Sequence, residues 1–202
     1  MHLLVIGGVA AGTKAAAKYK RLDRAAKVTV LSKSRDISYA GCGLPYYVGG
    51  MIESREELIV NTPAKYSALT GVDVLTGREV TALDPQARTA VAKNLATGEV
   101  ETYSYDACVI AVGASPAAPP VPGVDLPGVF TVRTPDDAQN IRAFVDAHQA
   151  PRAVVVGGGF IGLEMAENLK DKGLAVTVVD LAPQLLPNIF DPEMALYLRR
   201  HL

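Results

Sequence analysis

Cysteine is scarce in this chain, with two thiols, Cys42 and Cys108, among 202 residues. That is too few for a disulfide framework, and the pair lacks the spacing of a zinc site. Any role for Cys42 is therefore chemical rather than structural. An excess of one charge is missing as well. The formal net charge is −1, and the 20 Lys and Arg residues are spread along the chain, which leaves no electrostatic footprint for nucleic acid or an anionic membrane. Long apolar runs are absent, none approaching the roughly 20 residues of a membrane-spanning helix. The opening MHLLVIGG breaks into glycines too early for a signal peptide, so a cytoplasmic location is the default expectation. With 49% hydrophobic and 20% charged residues, the composition is that of a well-packed globular protein, long enough for one large domain or two small ones.

What is present begins with a pattern that occurs twice. His2 to Ile6 is a short apolar run, GGVAAG follows at Gly7 to Gly12, and TKAAAKYKRL has the composition of a helix. Val28 to Leu31 supplies the second strand of a βαβ unit. The pattern returns 150 residues later in AVVVGGGFIGLEMAENLKDKGLAVTVVD, Ala153 to Asp180. There Gly157 permits a tight turn, Gly159 lets backbone N–H groups approach a pyrophosphate, and Gly162 allows the helix to pack against the strand. Asp180 closes the second strand 23 residues after Gly157, where a carboxylate can accept hydrogen bonds from both ribose hydroxyls. The first unit departs from this pattern, with Val9 in place of the middle glycine and Ser32 in place of the ribose-binding acid. Two dinucleotide sites are expected.

Between the units, short alternating runs from Val72 to Val91 predict strands, and YDACVIAVGASP, Tyr105 to Pro116, predicts a buried strand ending in glycine. The proline- and glycine-rich stretch 116–128 reads as a connection between domains, giving an expected division into residues 1–118 and 119–202. Beyond it, Thr134 is a predicted N-cap, with Pro135 at the first helical position and two acids in the first turn. The fold class expected is α/β, with two Rossmann-like dinucleotide-binding units built on parallel sheets and a small antiparallel β insertion.

Cys42 sits in YAGCGLPYYVGG, residues 39–50. A free cysteine is usually a buried small hydrophobe, but a helix N-terminus with small neighbours stabilises a thiolate, and Gly41-Cys42-Gly43 ahead of LPYYVGG fits that arrangement. Cys108 lies inside the apolar run ACVIAV and reads as core.

These segments together resemble the flavin-dependent pyridine nucleotide-disulfide oxidoreductases, and within them the single-cysteine branch of coenzyme A-disulfide reductases, NADH oxidases and NADH peroxidases. VIGGVAAG is similar to the family's FAD fingerprint, ISYAGCGLPYYVGG to its redox-cysteine segment, YDACVIAVGASPAAPPVPG to its interdomain flavin strand and VVVGGGFIGLEMAENL to its NADH fingerprint. The resemblance places FAD in the first unit and NADH in the second, with NADPH disfavoured by Asp180. It implies FAD contacts from Gly7, Gly8, Val9, Ala10, Ala11, Gly12, Ser32, Lys33, Cys42, Val80, Ala111 and Gly113. It implies NADH contacts from Gly157, Gly159, Phe160, Ile161, Gly162, Glu164 and Asp180. Phe160 corresponds to an aromatic lid or is a packing residue after the turn. Glu164 matches an acid near the nicotinamide or is a first-turn acid on the helix dipole.

The implied reaction carries electrons from NADH through FAD to a mixed disulfide between Cys42 and a small thiol such as coenzyme A. Arg21 and Ser38 match contacts to coenzyme A, with Arg21 as a plain solvated charge the equal alternative. Gly41 stands where the branch commonly has asparagine. The oxidases and peroxidases carry a histidine where this chain has Ala10, which argues for a low-molecular-weight disulfide or persulfide as substrate and against a sulfenic acid cycle. A third reading is a nucleotide-binding module without turnover. The chain looks like the front part, less than half, of such an enzyme. Alone it is expected to have little activity, and the full-length protein is expected to be a homodimer.

Overall fold

A computed structural model describes residues 1–148 and 151–201. In chain order they form β1 (His2–Ile6), α1 (Ala10–Leu22), β2 (Lys27–Ser32), α2 (Leu44–Gly49), α3 (Pro63–Thr70), β3 (Asp73–Thr76), β4 (Arg78–Asp84), β5 (Thr89–Asn94), β6 (Val100–Ser104), β7 (Ala107–Ile110), α4 (Pro135–His148), β8 (Arg152–Val156), α5 (Phe160–Asp171), β9 (Ala175–Val179) and α6 (Pro192–His201). The chain divides into two compact units. One comprises Met1–Ala40 with Ile59–Ser115, the other Gly41–Leu58 with Pro116–Leu202. The last break lies between Ser115 and Pro116, and the segment carrying Cys42 groups with the later unit.

The first unit is layered. Its parallel sheet has the order β3-β2-β1-β7. Alternation along the strands sends Leu3, Val5, Val28 and Val30 to one face, where they pack with Ala16 of α1 and Tyr66 of α3. Leu4 and Leu31 point to the other face, where Ala90 and Ala92 of the antiparallel β4-β5-β6 sheet and Tyr105, just after β6, meet them. The Tyr66 hydroxyl reaches across the first layer and donates to the Thr13 carbonyl at 2.5 Å, tying α3 to the first turn of α1. α3 has both expected ends: the Thr62 hydroxyl accepts from Lys65 N at 3.2 Å, and Gly71, at φ 71°, closes the C-terminus.

β7 departs from expectation. Among the described residues it pairs with β1 at the edge of the sheet and is half-buried rather than buried, with Ile110 64% exposed at its end.

In the second unit β8 and β9 form a parallel pair that packs on α5. The strands alternate strictly, and their other face leaves Val154, Val156 and Val179 exposed. α4 begins as predicted. The Thr134 hydroxyl accepts from Asp137 N at 3.2 Å, while the Asp137 carboxylate accepts from Thr134 N at 2.8 Å, a reciprocal cap. Phe130 packs edge-on against Phe144 of α4, and His148 stacks on the same ring at 4.0 Å. Among the described residues no helix is long and apolar enough to cross a membrane.

Candidate nucleotide loops and redox cysteine

The two strand-to-helix turns share one geometry, which explains two of the three glycines. Gly7 has φ 108° and donates its N–H to Leu31 O at 2.8 Å; Gly157 has φ 111° and donates to Val179 O at 2.8 Å. Such φ values favour glycine. At the third glycine a methyl group has no room, since a Cβ at Gly12 would lie 1.8 Å from Gly7 O and one at Gly162 would lie 1.9 Å from Gly157 O. The middle position is different. Gly159 has an ordinary φ of −80° and nothing within 4 Å of where its Cβ would be, and the first loop carries Val9 there. The packing of the fold therefore does not require glycine at 159. Neither N-cap residue, Val9 of α1 or Gly159 of α5, makes a side-chain cap hydrogen bond, and a helix start of that kind can accept an anion.

Around the first loop the structure gathers Gly8, Ser32, Ser38 and Ala111. Ser32 is buried beside Gly8, where a Cβ would lie 3.2 Å from the serine hydroxyl oxygen. Ala111 O passes so close to Gly7 that a Cβ there would approach it to 2.2 Å. Gly113 follows at φ 70°. Ser38 holds a left-handed φ of 48°, fixed by its N–H to Gly8 O at 2.9 Å and by its carbonyl accepting from Val60 N at 3.0 Å. The Asn61 amide donates to its hydroxyl at 3.3 Å. Val80 packs against the apolar cluster beneath the antiparallel sheet, and Lys33 pairs with Glu79 at 2.8 Å. Ala10 and Ala11 are exposed at the start of α1.

In the second loop the Asp180 carboxylate accepts from Gly158 N at 2.5 Å and from Ala182 N at 2.7 Å. Those N–H groups, Ala182 foremost, hold its carboxyl below the usual carboxylate range. A carboxylate has about four acceptor positions, so these two bonds leave capacity for a ribose. Phe160 and Ile161 are exposed at the start of α5. The helix begins at Phe160 and has no acid in its first turn, which places Glu164 in the second turn and corrects its reading as a first-turn acid.

Cys42 is an exposed free thiol in a short 3₁₀ turn, Gly41–Gly43, that runs straight into α2. It is not a buried hydrophobe. Cys108 is half-buried against the cluster of Leu4, Leu31 and Ala92, and burial pushes its thiol pKa up. Arg21 lies exposed in the last turn of α1. Lys14 and Lys18 precede it by seven and three residues and are exposed too, so α1 presents a cationic stripe. Sequence reasoning passed over the two lysines, although the KAAAKYKR spacing carried the signal.

The family profile described as pyridine nucleotide-disulphide oxidoreductase matches residues 1–202. The chain belongs to that family. A relative named NADH oxidase from Methanocaldococcus jannaschii is 37% identical over 203 residues, covering 100% of this chain and 45% of that protein. One named coenzyme A disulfide reductase from Staphylococcus haemolyticus is 37% identical over 177 residues, covering 88% of this chain and 40% of its own length. The solved structure of an NAD-dependent persulfide reductase from A. fulgidus matches with a TM-score of 0.95 and 39% identity, over 100% of this chain and 37% of that one. The chain thus spans less than half the length of the curated relatives it matches. FAD and NADH are consistent with this oxidoreductase family and its fold.

Proposed function

We propose that this chain carries the nucleotide loops and the redox cysteine of a flavoprotein that reduces a low-molecular-weight disulfide or persulfide with NADH. The observation that carries this reading is Cys42, an exposed thiol in a glycine-flanked turn, in a chain with two uncapped glycine loops of one geometry. Residues 1–118 would hold FAD and residues 119–202 would form the NADH portion. The loops fit these groups: Gly12 and Gly162 let each helix start against its turn, and the space at Gly159 is clear for a pyrophosphate. When bound, FAD supplies the two-electron relay between NADH and sulfur.

The work of the protein's own residues is thiol exchange. The Cys42 thiolate attacks one sulfur of the disulfide, forming a mixed disulfide and expelling one substrate thiolate. Two electrons and a proton then cleave the mixed disulfide, releasing the second thiol and restoring the Cys42 thiolate. No second protein cysteine is required. The exposed cations Lys14, Lys18 and Arg21 on α1 fit a substrate bearing phosphates, and the name of the Staphylococcus haemolyticus relative supports coenzyme A disulfide as the first candidate. Asp180 would face the 2′-phosphate of NADPH as a like charge, so NADH is the preferred donor.

A second reading, favoured by the name of the Methanocaldococcus jannaschii relative, is an oxidase in which peroxide converts Cys42 to a sulfenic acid and water. Ala10 weighs against it. Steady-state NADH consumption by the intact protein, with peroxide or coenzyme A disulfide as the sole acceptor, separates the two, since only the sulfenic acid cycle turns over with peroxide.

The test of the main reading is Cys42→Ser in the intact protein. Flavin content and flavin reduction by NADH should be kept, and disulfide reduction should fall by several orders of magnitude. Cys108→Ser should keep the reaction and lose about 1 kcal/mol of stability in urea unfolding, because a hydroxyl replaces a half-buried thiol. Disulfide reduction by the Cys42→Ser protein at the normal rate would end this reading.

A further inference from the structure

The segment that begins at Cys42 has an anchor far along the chain. α2 is only six residues long, and a helix of that length does not hold itself together in water. One carbonyl of α2 and two from the residues just after it converge on one side chain of α4. Arg142 Nη1 donates to Tyr47 O at 3.2 Å, to Ile52 O at 3.1 Å and to Glu53 O at 3.1 Å. The same guanidinium lies 4.8 Å from the centre of the Tyr47 ring, and its Nε faces Asp146 one turn along α4 at 4.0 Å. Asp146 is held in turn by Lys172 at 2.7 Å. Arg142 is three-quarters buried and carries a permanent charge, and its Nη1 N–H groups are committed to these carbonyls. α2 also packs on α5, where Gly49 passes so close to the buried Asn168 that a Cβ would lie 2.4 Å from the amide oxygen.

We infer that Arg142 is a positioning residue for Cys42. It gathers the carbonyls of the α2 turn and clamps the segment that presents the thiol, without touching the reacting sulfur. The inference rests on the reading of Cys42 as the redox residue. Misplacing a reacting group by about 1 Å can cost on the order of a hundredfold in rate. The variant of choice is Arg142→Met, which keeps an unbranched side chain over Tyr47 and removes every donor.

Three measurements on the intact protein test it. Amide exchange in residues 44–53 should quicken at least tenfold in Arg142→Met, with β1 and β2 unchanged. Reduction of coenzyme A disulfide should fall at least tenfold, while flavin reduction by NADH in the same preparation stays as in the parent, a ratio that cancels any loss of folded protein. Arg142→Lys, with three donors on one nitrogen, should recover part of both effects. Unchanged exchange in 44–53, or equal loss of both half-reactions, would overturn the role of Arg142. Failure of the redox reading itself shows separately, as disulfide reduction surviving in Cys42→Ser.

Discussion

Adding one methyl group at Gly162 should cost about 3 kcal/mol of stability, and adding one at Gly159 should cost less than about 1 kcal/mol while weakening NADH binding. At Gly162 the new Cβ would lie 1.9 Å from Gly157 O, whereas real Cβ contacts essentially never fall below 3.0 Å. The turn or the helix must therefore shift by about 1 Å, and the N–H bond from Gly157 to Val179 O resists that shift. The expected cost sits at the upper end of the usual overpacking range of about 1–3 kcal/mol. At Gly159 the methyl group meets nothing and the φ of −80° suits alanine. Val9 in the matching turn shows that such a loop accepts a side chain there. The effect should fall on the ligand, with NADH affinity lowered tenfold or more, equivalent to about 1.4 kcal/mol. Urea unfolding of the two variants and NADH titration of the intact protein would decide. If Gly159→Ala unfolds as early as Gly162→Ala, or binds NADH as well as the parent, the separation of a packing glycine from a ligand glycine is wrong.

Asp180→Asn should reduce the preference for NADH over NADPH by tenfold or more in steady-state kinetics, since it removes the like charge beside a 2′-phosphate. The carboxyl of Asp180 is held below its ordinary value of 3.8, so its contribution to the second loop is present above that value and is lost as pH falls through the folded-state pKa. Amide exchange at Gly158 and Ala182 should quicken over that acid range in the parent, and the change should be absent in Asp180→Asn. His2 is shifted down from 6.5, chiefly by burial and next by Lys27, and its Nε2 lies 3.0 Å from Thr29 Oγ1. The unfolded chain therefore takes up a proton first, and stability should decline as pH drops below 6.5. Urea midpoints compared between about pH 7.5 and about pH 5 should show a smaller decline in His2→Gln; an unchanged decline would remove His2 from the account.

The glycine loops were legible because their requirements are local. A positive φ at Gly7 or Gly157 and the missing space at Gly12 or Gly162 depend on residues a few positions away, so spacing alone reveals them. The cap at Thr134 was readable for the same reason. The clamp on α2 was not, because Arg142 stands in an ordinary amphipathic helix about 90 residues from the carbonyls it binds, and by sequence it is one more surface cation. β7 misled because an apolar run specifies a strand without specifying its neighbours. Its place at the sheet edge, with Ile110 exposed, is set by strand order. Lys14 and Lys18 were readable and passed over, since alanine and lysine at helical spacing usually describe only a solvated face.

The grouping of residues 41–58 with the later unit sets an order of events at the ribosome. β1, α1 and β2 can pair as soon as they emerge, whereas α2, in the segment between them and α3, packs on α4 and α5, which emerge later. The end of α5 lies 113 residues beyond Leu58. At the usual pace of elongation that is an interval of roughly 6–20 s. Throughout it Cys42 rides on a segment of the nascent chain that has yet to meet α4 and α5.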